Sequence, residues 1–173
     1  ASAVARLFNS PVIRDTQATR AAVTGKLPDA DLLYFATHGI VDPADPLDGA
    51  YLALAGDGPD ARWTARQIQH TRLHPGAVVV MSACDTGRGA VQRAGVIGLA
   101  RAFQLAGAAE VVMSLWPVDD DATAQLMPRF AALLREGRTA DEALQQAMRE
   151  QRARTPDPAR WGAFTVFSRP VVL

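Results

Sequence analysis

Three stretches of this chain are apolar at almost every position, and each runs into a polar cluster: "DLLYFATHG", "GAVVVMSAC" and "EVVMSLW". Apolar runs this short, without a two-residue alternation, fit strands that are covered on both faces. Elsewhere the apolar positions recur at helical spacing. "TQATRAAVTGKL" reads as a helix with Asp15 or Thr16 as N-cap and Gly25 near its stop, and "WTARQIQHTRLH" as a modest helix ending before Pro75. "GVIGLARAFQLAGA" gathers Val96, Leu99, Phe103 and Ala106 on one face and reaches Gly107 at its end. "DDATAQLMPRFAALLREG" is a further helix, apolar at Leu126, Phe130, Leu133 and Leu134, in which Pro128 is expected to shorten or kink the first turns. "TADEALQQAMREQRAR" opens on a capping box of Thr139 and Glu142. "ASAVARLF" reads as the end of a helix, while "SPVIRD", "YLALAG" and "WGAFTVFS" read as strands. Alternating strands and helices predict one α/β domain over residues 1–173, with a mainly parallel sheet and helices on both faces.

The polar ends of the apolar runs nominate a site. The first run ends in Thr37-His38-Gly39, the second in Ser82-Ala83-Cys84-Asp85, and the third in Ser114-Leu115-Trp116 with Asp119 beyond. In open α/β sheets ligands sit outside the carboxyl ends of the strands, so neighbouring strands would bring His38, Cys84 and Asp119 to one rim. A cysteine nucleophile needs a nearby base, because the thiolate is the reactive form. His38 and Cys84 are far apart in sequence, and parallel pairing of their strands would unite them. His70 and His74 flank a helix terminus and read as charge partners or solvent-facing groups.

Plainer readings compete with this one. A cysteine closing an apolar strand is commonly an inert buried thiol, and a lone histidine there is commonly scaffolding. Asp119, Asp120 and Asp121 precede a helix, where acids cap free N–H groups and match the dipole; the alternatives are a pocket for a basic side chain or a metal site. Asp42, Asp45 and Asp48 lie in "DPADPLDG", which lacks calcium-loop spacing and reads as turns. Trp116 and Trp63 fit a core or a pocket wall equally.

Composition narrows the function classes. The chain has 173 residues, 49% of them apolar, and its 18 basic and 18 acidic residues cancel. That balance argues against nucleic acid and anionic membrane as partners. Lys26 is the sole lysine, and "TGKLPDA" lacks the upstream glycine of a phosphate-cradling loop, which removes nucleotide hydrolysis. A single cysteine forms no internal disulfide, which fits a reducing compartment, and neither a signal peptide nor an apolar run of membrane-spanning length is seen. The expected setting is the cytoplasm. The chain opens on Ala, so a piece of a longer protein is expected.

The blocks "LLYFATHGIVDPADPLDGAYLAL", "VVVMSACDTGRG", "GVIGLARAFQLAGAAEVVMSLWPVDDDAT" and "WGAFTVFS" resemble the CHAT domain, a caspase-like domain often found after tetratricopeptide repeats in bacterial proteins and related more distantly to separase, caspases and gingipains. A histidine followed by a cysteine roughly fifty residues on is also the caspase order. The resemblance implies a three-layer α/β/α sandwich of caspase–hemoglobinase type and a cysteine peptidase needing no metal or organic cofactor. It implies His38 as catalytic histidine, Cys84 as nucleophile, and an oxyanion hole from the backbone N–H groups of Gly39 and Cys84. It implies a substrate pocket for a basic residue near the "LWPVDD" block, with Asp119 the closest match, Asp120 or Asp121 as alternatives, and Trp116 and Asp85 nearby. Expected partners are a protein or peptide substrate and a tetratricopeptide-repeat module or regulatory protein that controls activity. Two departures stand out. "QRAG", with Arg93, replaces the usual small or acidic stretch before "VIGLARAF", and a strand that usually precedes "ASAVARLF" is missing. The rival expectations are a catalytically silent CHAT-like scaffold and a flavodoxin-like signalling domain with an incidental strand-end cysteine.

Overall fold

A computed structural model describes residues 1–42, 44–82, 92–116 and 118–168, of which residues 92–96 by their backbone alone. Strands β1 (Leu32–Phe35), β5 (Val78–Met81), β6 (Glu110–Ser114) and β7 (Phe164–Ser168) form a sheet in the order β1-β5-β6-β7. β1, β5 and β6 are parallel and β7 returns antiparallel. A second, three-stranded antiparallel sheet contains β2 (Gly39–Ile40), β3 (Tyr51–Ala53) and β4 (Arg62–Thr64). The helices are α1 (Ser2–Leu7), α2 (Arg20–Thr24), α3 (Ala65–Gln69), α4 (Gln92–Ala106), α5 (Asp120–Arg135) and α6 (Ala140–Arg154). The domain is thus mixed α/β with a mostly parallel main sheet.

The uninterrupted apolar runs are explained by two cores, one on each face of that sheet. Alternate residues Leu33, Phe35, Val79, Met81, Val111 and Met113 join α3, α4 and the small sheet in one cluster. Their neighbours Leu32, Tyr34, Val78, Val80 and Val112 join α1, α5 and α6 in the other. The side-chain period is still two, but both faces require apolar residues, so the sequence shows no alternation. On the first face Phe35, Trp63 and Phe103 form a ring trio with centroids 5.6–5.9 Å apart. Trp63 is a core residue, fully buried, rather than a pocket wall. Edge and offset ring pairs of this kind add about 0.5–1.5 kcal/mol each beyond their buried area.

Three elements differ from the sequence reading. "SPVIRD" is not a strand. The helix expected across residues 16–27 is split into a 3-10 turn (Asp15–Gln17) and α2, because Ala55 N–H donates to the Ala18 carbonyl and the Thr19 hydroxyl caps Ala22 N–H. The helix expected from Trp63 begins later, since Arg62–Thr64 pairs with β3 and a Thr64–Gln67 capping box starts α3. Pro128 lies inside α5, which runs unbroken from Asp120 to Arg135, and Met127 and Phe130 on either side of it are buried. α4 stops where Gly107 takes φ +124°, a conformation that favours glycine.

Candidate active site

The carboxyl ends of β1, β5 and β6 meet on one rim. Phe35 stands opposite Met81, and Met81 opposite Met113. Beyond the register the Ser82 N–H still donates to the Phe35 carbonyl at 3.0 Å, and the Ser82 hydroxyl donates to the same oxygen at 3.3 Å. The segment that leads to His38 and the segment that leads to Cys84 therefore leave neighbouring strand ends. Cys84 and Asp85 lie outside the described residues, as do Arg93's side chain and the rest of the "SACDTGRG" loop beyond Ser82.

His38 is fixed from its backbone. Ala53 N–H donates to the His38 carbonyl at 2.9 Å, and the Thr37 hydroxyl donates to the Ala53 carbonyl. The chain is thereby clamped to β3 on both sides of the His38 amide, while the His38 side chain remains exposed on the rim. The bond between Ala53 and His38 also sets the phase of the ladder. It makes Gly39–Leu52 a pair without mutual hydrogen bonds, so the Gly39 N–H points away from β3. Gly39 is buried, and its N–H is directed to the edge of β2 opposite its partner strand. A backbone donor so directed suits an oxyanion.

The acidic residues separate into distinct roles. Asp119 is the N-cap of α5: its carboxylate accepts the Ala122 N–H at 3.0 Å and lies 3.4 Å from the Arg160 guanidinium. Asp120 and Asp121 occupy the first turn of α5 and are exposed. Asp120, with Ala36, Tyr34 and Ser82, lines a cavity of about 310 Å³ at the strand ends. Trp116 is half exposed on the same rim, close to Gly162, where any side chain would meet its ring. Asp42 and Asp45 turn the loop on themselves by accepting the N–H groups of Ala44 and Asp48, and Asp48 pairs with Arg66 at 2.9 Å. These are turn formers, as the spacing predicts. His70 caps the end of α3 and His74 lies 3.2 Å from exposed Asp31. Among the described residues no group of three or more His, Cys, Asp and Glu side chains is arranged for a metal ion.

Sequence reasoning gave no role to three residues of this rim. Thr37 anchors the histidine segment, Tyr34 puts a hydroxyl inside β1, and Ser82 puts one just beyond β5. Burial raises the Tyr34 pKa above its ordinary value, partly offset by a hydrogen bond with the Ser82 side chain, so the phenol is neutral at physiological pH. The signal was present: Tyr34 is the one residue with a polar atom in "LLYF".

Among the described residues no helix is long and apolar enough to cross a membrane. Over 131 residues the chain is 34% identical to human "Tetratricopeptide repeat protein 28", covering 75% of this chain and 5% of that protein. The mouse protein of the same name is 33% identical over 112 residues, covering 64% of this chain and 4% of its own length. The chain therefore spans only about a twentieth of the relatives it matches. The CHAT domain family matches residues 1–169, nearly the whole length, and the chain belongs to that family.

Proposed function

We propose that this CHAT domain is a cysteine endopeptidase of three-layer caspase–hemoglobinase architecture, acting through Cys84 and His38. The observation that carries the reading is the parallel pairing of β1 with β5, extended by the Ser82–Phe35 hydrogen bond. It aligns the ends from which the histidine and cysteine segments depart. His38 withdraws the Cys84 proton, and the thiolate adds to the scissile carbonyl. The N–H groups of Gly39 and Cys84 receive the negative oxygen of the tetrahedral intermediate. His38 returns the proton to the departing amine, leaving a thioacyl enzyme. Water, deprotonated by the same imidazole, then releases the acid and restores the thiol.

Within this reading Asp120 is the acid for a basic substrate residue, since Asp119 is committed to its helix cap and to Arg160. The name of the mammalian relatives supports a tetratricopeptide-repeat module as a partner of this domain, and in this reading that module is the regulator. The lone cysteine fits a cytoplasmic setting. Those relatives are named for their repeats rather than for a reaction, which favours a silent scaffold as the second reading.

The test is labelling with acyloxymethyl-ketone probes carrying Arg, Lys, Asp, Leu or Met, comparing wild type with Cys84→Ala and His38→Ala. The expected result is a Cys84 adduct, found by mass spectrometry, that is lost in His38→Ala and strongest with Arg or Lys. Iodoacetamide modification of Cys84 at an ordinary thiol rate, with no probe adduct, would establish the scaffold reading instead.

A further inference from the structure

β7 is the last strand of the main sheet among the described residues, and its outer edge is unpaired. The Leu115 N–H donates to the Ala163 carbonyl at 2.8 Å, which fixes the phase of the β6–β7 ladder. Thr165 and Phe167 face β6, so the N–H and C=O groups of Phe164, Val166 and Ser168 point to the open edge. No described residue bonds to them. Exposed strand edges of this kind are templates for another strand.

Beside this edge lies a groove of about 430 Å³ between β7 and α6. Leu144, Met148, Trp161, Phe164 and Val166 give it an apolar floor. Its rim is charged asymmetrically. Ala140 N–H and the Ser168 hydroxyl both donate to the Glu110 carboxylate, so the start of α6 lies at the Ser168 end of β7. Arg149 and Arg152 are consequently at the Phe164 end, where Arg152 lies 5.7 Å from the Trp161 ring centre. Both are exposed, and neither has a carboxylate partner among the described residues. The opposite end of the groove carries Asp141, whose carboxylate accepts from the Thr139 hydroxyl.

We propose that the β7 edge and this groove form a docking site for an extended segment of a partner protein. The segment adds to β7 as a further strand, sets alternate apolar side chains against Met148, Phe164 and Val166, and carries acidic residues at the end that meets Arg149 and Arg152. Backbone pairing supplies register and the groove supplies side-chain selection, as in other strand-addition sites. The cationic end sets the direction in which the segment lies. It is also the end next to Trp116 and Asp119, so a bound segment would run toward the strand-end rim.

The proposal is tested by selecting a displayed library of random decapeptides against the Cys84→Ala chain, which removes any dependence on the peptidase reading. The expected pool alternates apolar residues and gathers Asp or Glu at one end. The best peptide protects the Phe164, Val166 and Ser168 amides from hydrogen exchange. Arg149→Glu combined with Arg152→Glu, both at exposed positions, retains the circular dichroism of the parent and weakens that peptide roughly tenfold, the sum of two lost pairs and two repulsions. A pool without acidic residues, protection elsewhere, or an affinity unchanged by the double reversal would overturn it. So would a stable dimer of this chain in sedimentation that covers the same three amides, because a second copy would then be the occupant.

Discussion

Thr37 shows how much of the rim depends on one hydroxyl. Its side chain holds the Ala53 carbonyl while Ala53 holds the His38 carbonyl, so the histidine segment is fastened to β3 by two bonds of opposite direction. Thr37→Val keeps the shape and removes the donor. Leaving the Ala53 carbonyl without it costs about 1–2 kcal/mol, measurable by urea unfolding. Probe labelling of Cys84 should slow as well, because the His38 backbone loses its brace. Thr37→Ser should recover both stability and labelling. If Val and Ser behave alike, the hydroxyl has no positioning role. This residue was legible only in part: "THG" marked a strand end, but the partner, Ala53, lies in another strand and no spacing rule connects them.

At the level of elements, α5 begins where the acids are, and Asp119 can be separated from its neighbours by substitution. Asp119→Ala removes the acceptor for Ala122 N–H and should cost about 0.5–2 kcal/mol. Asp119→Asn keeps a capping acceptor and should restore most of that stability while discarding the charge toward Arg160. Thermal melts of the two variants decide whether the residue is a cap. A probe preference for Arg that survives Asp119→Asn but disappears in Asp120→Asn would assign the pocket acid to Asp120. The same comparison shows why some elements could be read and others not. α4, α5, α6 and the three parallel strands carry their own signal in caps and apolar positions. β4 and the break before α2 do not. Arg62–Thr64 became a strand because Trp63 pairs with Leu52 and packs on Phe35 and Phe103, and Thr19 left the helix because Ala55 claims the chain there. Long-range pairing outweighed local propensity in both places. The parallel type of β1, β5 and β6 followed from their apolar runs, whereas their adjacency, and with it the shared rim, comes from the observed order.

For the whole molecule the balance of charge sets the acid response. At neutral pH the 18 basic and 18 acidic residues offset each other; as the carboxyls protonate, the arginines repel and stability falls. One tie can be isolated within that general loss. Arg129 on α5 donates to both oxygens of Glu150 on α6, at 2.8 and 3.0 Å, and joins two of the three helices that cover one face of the sheet. The Arg129 hydrogen bond, followed by one from Gln146, lowers the Glu150 pKa to about 2 from an unperturbed 4.5. Because the folded-state value lies below the unfolded one, the ionised group contributes its full stability above pH 4.5 and loses it as pH falls toward 2. Glu150→Gln removes the charge at every pH. Wild type should therefore melt higher than Glu150→Gln at pH 7, and the gap should shrink between pH 4.5 and 2 and close at the lower limit. Both side chains are partly in water, so 0.5 M salt should narrow the gap at pH 7. A gap that stays constant from pH 7 to pH 2 would mean that the ionised state of Glu150 is not what ties α5 to α6.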